Sequence, residues 1–364
     1  MATHGSYTRL SIFLPIGLSF HVFQSISYLL DVYHRKLKPT RSLLECALCL
    51  SFFPQVVAGP IVRVSEFLPQ IRGPAVLTRE DVDLGLFRIL RGLTKKALLA
   101  DYLGQYVDLV FAMPNAYSGA EVALSIYAYT LQIYLDFSGY SDIAVGLARL
   151  LGIRLPENFD SPYRATSVTE FWHRWHMTLS SWLRDYLYIP LGGNRKGRPR
   201  RYLNVMLTML LGGLWHGPSL TFVVWGFLHG VVLAVEKAIT PRFKSRSNVA
   251  IRAVCGVFTF HLVAALWVVF RASSFSGAET MLSRLTTGWH FGNVRILLGD
   301  RSWLCVAILG ALVGNLIPSN SVRIVEGLFR RSPWALQAAM LVGIGLAVYE
   351  ASHANVWPFI YYKF

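Results

Sequence analysis

Apolar runs approaching the thickness of a bilayer core recur along this chain, and they leave few folds open to it. Residues 10–33, 121–151, 225–237, 255–270, 304–316 and 334–349 read as helical stretches rich in aliphatic and aromatic side chains. Roughly 20 apolar residues span hydrocarbon as a helix, and in lipid only helices and closed barrels satisfy their own backbone. Charged residues make up 15% of the chain against 54% hydrophobic, whereas soluble domains sit at about a quarter charged. The expectation is an all-α integral membrane protein, a polytopic helical bundle.

The net charge of +15 would suggest nucleic acid in a soluble chain. Here Lys and Arg gather instead in short connectors, at 34–41, 194–201, 242–246 and around Arg323, Arg330 and Arg331. Retention of basic loops on the cytoplasmic side accounts for that pattern without a nucleic-acid partner. Cys46, Cys49, Cys255 and Cys305 all fall in apolar surroundings. The Cys46-x-x-Cys49 spacing is weak support for a redox or zinc pair, and all four are read as small buried hydrophobes. Residues 1–9 form a polar start, and 10–364 a single transmembrane domain. No cleavable signal peptide is expected, because the first apolar run leads straight into more membrane sequence.

Several stretches depart from a plain span. Residues 43–62 contain Pro54, Gly59 and Pro60, which predict a broken or re-entrant element followed by Arg63 and Glu66 as a cap or cavity lining. Residues 79–113 set Arg88, Arg91, Lys95, Lys96 and Asp101 among leucines, the pattern of an amphipathic helix partly at the membrane interface. Two readings stand for Asp136 and Asp142: caps of a helix break at Phe137-Ser138-Gly139, or members of a polar cavity. Pro156, Asn158 and Pro162 mark a loop. A helix then starts near Ser167, with Glu170 three residues on as a capping box. It would carry His173 and His176 on one face. Without a third ligand at suitable spacing, that pair is not read as a metal site. Interfacial packing among Trp172, Trp175 and Trp182 is the plainer alternative.

The densest chemistry lies between Phe171 and Gly217, which holds three histidines, four tryptophans and the basic run Asn194-Arg195-Lys196-Gly197-Arg198-Pro199-Arg200-Arg201. If both flanking basic connectors are cytoplasmic, the arm 203–217 is about 22 Å long at ~1.5 Å per residue, too short to cross about 30 Å of hydrocarbon. Gly212-Gly213 and Gly217-Pro218 would supply the turn. His216 is thereby placed within the membrane's thickness, where an ionisable side chain reads first as functional. His229 and His261 are lone histidines on apolar helices and are read as packing residues. No P-loop, Rossmann fingerprint or GxSxG elbow offers a competing site.

Six segments carry a family resemblance: LPIGLSFHVFQSISYLLDVY, SFFPQVVAGPIVRVSEFLPQ, IYLDFSGYSDIAVGLARLLGIRLPENFDSPY, EFWHRWHMTLSSWLRDYLYIPLGGNR, GGLWHGPSLTFVVWGFLHG and PFIYYKF. They run from near residue 14 to the last residue. The chain resembles the membrane-bound O-acyltransferase family, in particular its bacterial alginate O-acetylase branch. The resemblance implies a multi-pass bundle of a bacterial inner membrane, with broken or re-entrant helices around a catalytic tunnel. It places the catalytic histidine of the WHG motif at His216 and the family's second characteristic histidine at His176, with His173 outside the catalytic set. Relatives of this kind begin with several further transmembrane helices, so the chain is expected to be N-terminally short.

The activity implied is transfer of an acyl group, acetyl first among candidates, from a cytoplasmic thioester such as acetyl-CoA toward an extracytoplasmic polysaccharide. Alginate-like exopolysaccharide and peptidoglycan both fit, with a separate acetyltransferase as partner. His216 would act as general base, and His176 would orient the acceptor or stabilise the oxyanion. Arg195, Lys196 and Arg198 would attract the donor's phosphates or serve topology alone. No bound cofactor is expected. Two other classes stand as alternatives: a transporter or flippase using Asp136 and Asp142 in a transport cavity, and an inactive truncated scaffold for a partner acetyltransferase.

Overall fold

The computed structural model describes residues 17–74, 76–239, 248–289, 299, 301–317 and 319–353. The polar start at 1–9, the basic connector Arg242–Arg246 and the terminal PFIYYKF segment lie outside the described residues. Among the described residues regular structure is helical throughout, with no strand. By length and apolarity, Leu220–Ile239, Val249–Arg271 and Trp334–Ala351 can cross a membrane, and a fourth span is possible if the bent pair Ser302–Leu316 and Ser321–Arg331 counts as one.

Helix α1 (Leu18–Tyr33) leads to α2 (Leu43–Ser51) and the short α3 (Phe53–Val56), separated at Phe52. The break expected from Pro54 is therefore present. Helix α4 (Val64–Arg72) follows, and Arg63 at its N-terminus pairs with Asp185.

Helix α5 (Arg79–Leu93), a π-helical turn Thr94–Ala100 and α6 (Asp101–Ala112) form one continuous rod. It returns antiparallel along α7 (Gly119–Leu150), a 32-residue helix. Two glycine pairs set the approach. A Cβ at Gly92 would lie 2.5 Å from the Gly139 carbonyl oxygen, and one at Gly146 would lie 2.6 Å from that of Gly85. Small residues spaced by seven on both helices thus let the backbones touch, as membrane helices commonly do.

Two expectations change here. Helix α7 runs unbroken through Phe137-Ser138-Gly139, so Asp136 and Asp142 cap no break. The second change concerns the basic stripe of the rod, which faces α7 and not outward. Arg88, Arg91 and Lys95, spaced three and four apart on one face, all reach the carboxylate of Asp142. Arg88 Nη1 and Lys95 Nζ each donate at 2.8 Å. Lys96 donates to Asp101 at 2.6 Å and lies 2.7 Å from Asp136, while Glu157 supplies a second partner for Arg88. The wider π turn lets the adjacent Lys95 and Lys96 both meet α7. The cations point inward because four carboxylates wait there.

The chain then passes through the loop 151–167 to α8 (Val168–Arg174), α9 (Met177–Leu183) and a second π turn, Arg184–Tyr188. Next come α10 (Gly197–Trp215), α11 (Leu220–Ile239), α12 (Val249–Arg271), α13 (Phe275–Thr287), α14 (Ser302–Leu316), α15 (Ser319–Arg331) and α16 (Trp334–His353). Helix α10 starts inside the basic run, six residues before the expected arm. Its 19 residues give about 28 Å at ~1.5 Å per residue, so the argument that it falls well short of a bilayer does not hold.

Asp142 is 4% exposed and anchors three cations. Asp142→Ala would leave buried positive charge uncompensated, a loss on the order of 3–5 kcal/mol. The expected result is a clear fall in the detergent melting midpoint, whereas an unchanged midpoint would show the cluster to be energetically idle.

Candidate active site

Helices α8 and α9 form a hairpin whose two ends meet the same end of α11. The Val168 and Thr169 backbone N–H groups donate to the Glu236 carboxylate at 2.9 and 2.8 Å. At the other end, Lys237 Nζ lies 5.2 Å over the Tyr188 ring. Between them α8 descends past His229, whose ring lies 5.2 Å from Trp172, to Trp175, 5.0 Å from Trp267 on α12. Ser167 caps α8 as expected, accepting from the Glu170 N–H at 3.1 Å, but the Glu170 side chain turns to Thr166.

The hairpin reverses at His176, which has left-handed backbone (φ 41°, ψ 55°) and begins α9. This overturns the expectation that His173 and His176 share a helical face. The helix ends at Arg174, leaving His173 exposed and His176 buried at 1%. Among the described residues no group of three or more His, Cys, Asp or Glu side chains is placed to hold a metal. The four cysteines form no disulfide.

The loop before α8 holds the tip in place through one side chain that the sequence marked only as loop. Asn158 is 1% exposed. Its carbonyl oxygen accepts the Met177 N–H at 2.9 Å, and its Oδ1 accepts the Thr178 N–H at 3.3 Å and the Thr178 hydroxyl at 2.9 Å. Its Nδ2 donates to Ser141 on α7 at 3.3 Å, and His176 Nδ1 lies 3.1 Å from Oδ1. Thr178 Oγ1 in turn accepts the Ile61 N–H at 3.0 Å. Nothing in spacing or periodicity links position 158 to 176–178; only the fold brings them together.

His216 occupies the C-cap of α10, at the end away from the basic run. Both candidate histidines pack on Trp215, with ring centroids 6.4 Å from it for His176 and 4.9 Å for His216. Phe137 meets His176 edge-on at 4.6 Å, and Phe20 lies beyond at 6.5 Å. Trp225 and Phe270 flank His216 at 5.3 and 5.0 Å. The structure thus brings His176 and His216 into one aromatic cluster, and leaves out His173. His229 accepts from Trp172 Nε1 at 3.3 Å and His261 pairs with the Tyr127 hydroxyl at 2.9 Å, consistent with packing roles for both.

Of the polar atoms in this cluster that are buried without a hydrogen-bond partner among the described residues, two lie at the His176–Trp215 contact, the acceptor-capable Nε2 of His176 and the indole N–H of Trp215. Buried polar groups are nearly always paired, so these two are available to a bound molecule. Beside the hairpin, a groove of about 410 Å³ opens between α8–α9 and α10–α11. Trp172, Met177, Met209 and Leu233 line it, and Arg184 and Lys237 stand in its wall.

The α10–α11 contact that carries Trp215, His216 and Trp225 is also glycine-set. A Cβ at Gly226 would lie 2.3 Å from the Met209 carbonyl oxygen, and one at Gly213 would lie 2.3 Å from that of Phe222. Because the obstacle is backbone, Gly226→Leu should separate the helices at a cost of about 1–3 kcal/mol or more. The expected readout is a lowered melting midpoint in detergent, and an unaltered one would refute the tight crossing.

The family model of the membrane-bound O-acyltransferases matches residues 37–274. The chain is 47% identical over 270 residues to a protein of Pseudomonas fluorescens named probable alginate O-acetylase AlgI, covering 74% of this chain and 54% of that one. It is 37% identical over 302 residues to a peptidoglycan O-acetyltransferase of Helicobacter pylori, covering 76% and 57% respectively. With a teichoic acid D-alanyltransferase of Bacillus subtilis it shares 28% identity over 276 residues, covering 71% and 69%. The chain spans a little over half the length of the alginate and peptidoglycan relatives. On the family match and these identities, the chain belongs to the membrane-bound O-acyltransferase family.

Proposed function

We propose that this chain carries the transfer centre of a multi-pass inner-membrane O-acyltransferase, and that the acyl group, acetyl first among candidates, passes from a cytoplasmic thioester to an extracytoplasmic polysaccharide. The observation that carries this reading is the convergence of His176 and His216 on Trp215, beside the buried His176 Nε2, which has no partner among the described residues. The named activities of the relatives, on alginate, peptidoglycan and teichoic acid, support a surface-polymer acceptor.

The chemistry needs a base because a hydroxyl is a weak nucleophile at neutral pH. In this reading, the acceptor oxygen bonds to the thioester carbonyl carbon while its proton passes to His216. The tetrahedral intermediate then collapses, the C–S bond breaks with its electron pair on sulfur, and His216 returns the proton to the thiolate. The products are an ester and a free thiol. The groove beside the hairpin suits the donor. Its apolar wall fits a pantetheine arm, and Arg184 and Lys237 offer charge to phosphate at the end where the basic connectors lie. The α8–α9 hairpin is then a re-entrant element entering from the cytoplasmic side and presenting His176 at its tip. A tunnel joining donor and acceptor sides, and a separate extracytoplasmic acetyltransferase receiving the acyl group, complete the proposal.

Labelled acetyl-CoA added to membranes carrying the chain should yield base-labile acetyl ester on surface polysaccharide. His216→Ala should cut that yield by about 10²-fold or more, the usual worth of a positioned base, with membrane expression intact. Ester formation by His216→Ala at the wild-type rate would remove His216 from the base role. Filling the groove with Leu233→Trp should raise KM for acetyl-CoA about tenfold, roughly 1.4 kcal/mol, with kcat little changed. An unchanged KM would place the donor elsewhere.

A further inference from the structure

Of the two roles open to His176, orienting the acceptor or stabilising the oxyanion, the hydrogen bonds around Asn158 select one. The Thr178 backbone N–H can only donate, and it meets Asn158 at the atom 3.3 Å away, with the Thr178 hydroxyl at 2.9 Å from the same atom. That atom is therefore the amide oxygen. The amide nitrogen on the other side has Ser141 Oγ at 3.3 Å as its acceptor. With its orientation fixed from both sides, the Asn158 oxygen can only accept from His176 Nδ1, 3.1 Å away. The proton of the neutral ring then sits on Nδ1, and Nε2 carries a lone pair. Nε2 is buried and has no partner among the described residues.

We infer that Asn158 is a positioning residue that holds His176 in the Nδ1–H tautomer, so that Nε2 orients the acceptor by accepting a hydrogen bond from a hydroxyl neighbouring the attacking one, whose own proton goes to His216, and does not donate to the oxyanion. This rests on the acyl-transfer reading above and assigns a role within it. The backbone geometry serves the same end. The left-handed corner at His176 and the Met177 N–H bond to the Asn158 carbonyl at 2.9 Å set the ring and the amide in register. A leucine at 158 keeps the volume but offers no acceptor, which frees the ring to exchange tautomers and to rotate. An aspartate keeps the acceptor.

The test uses the full chain in proteoliposomes, with acetyl-CoA as donor and an oligouronate as acceptor probe, and reads acceptor-dependent thiol release. Asn158→Leu should lower kcat about 10²-fold, within the range of a lost acid–base contact, with KM for acetyl-CoA within about twofold. Asn158→Asp should recover at least a tenth of wild-type kcat. In a His176→Ala background, Asn158→Leu should have almost no further effect, because residues acting through one another are strongly non-additive. A kcat for Asn158→Leu within twofold of wild type, equal losses in Leu and Asp variants that both fold, or full additivity with His176→Ala each overturns the inference. Nitrogen NMR of histidine-labelled wild type, assigned by the signal lost in His176→Ala, needs no Asn158 variant: a protonated Nδ1 and bare Nε2 support it, and the reverse overturns it. A wild type without acceptor-dependent thiol release defeats the acyl-transfer reading and this assignment with it. A wild type that turns over, with Asn158→Leu unimpaired, defeats the assignment alone.

Discussion

A chain that reverses direction inside a bundle of apolar helices must find partners for the backbone groups that the turn releases. Here one asparagine, through its main-chain and side-chain oxygens, meets most of that demand. Asn158 takes the first N–H of α9 on its main-chain oxygen and the next on its side chain, and its amide nitrogen reaches across to α7. The loop 151–167, the tip of the α8–α9 hairpin and the long helix α7 are joined at this point. Thr178 extends the connection to Ile61, just before α4. Because Asn158, Ser141, His176, Thr178 and Ile61 are buried, their bonds are stronger than they would be in water and a missing partner would be correspondingly costly.

The second organising constraint is the close approach of α5 and α7, and it combines two effects that need each other. Glycines at 85, 92, 139 and 146 bring the backbones together, and that proximity delivers three cations to one carboxylate. A lone Asp142 in such a place would be expensive to ionise, and three unaccompanied cations would be worse. Together with Lys96, Asp101, Asp136 and Glu157 the cluster balances four positive groups against four negative ones. A charge-balanced, mutually satisfied network is what a structural tie requires, so this region supports the candidate site from the far side of α7.

Much of the architecture was legible in the residues. Apolar runs announced the helices, and prolines announced the break between α2 and α3. His216 stood out because an ionisable group after a long apolar stretch needs a reason to be there. The errors share a cause. Arg88, Arg91, Lys95 and Lys96 looked interfacial because sequence shows the stripe but not its partner, and the partner lay some fifty residues on. His173 and His176 looked like neighbours because a three-residue spacing assumes an uninterrupted helix, whereas the chain turns at Trp175 and His176. Asn158 went unremarked as a site residue for a related reason: an asparagine between prolines is ordinary loop composition, and its worth depends on contacts 17 to 20 positions away.

The left-handed corner at His176 bears on how the residue should be removed. A side chain with a Cβ sits in that conformation at a cost of about 1–2 kcal/mol, which glycine escapes. Alanine in its place would delete the imidazole and keep the penalty, while glycine would delete both. The gap in melting midpoint between those two replacements measures what the scaffold sacrifices to present this ring, separately from anything the ring does chemically. Should glycine prove the sturdier of the pair, the native protein is trading durability for the orientation of a single nitrogen.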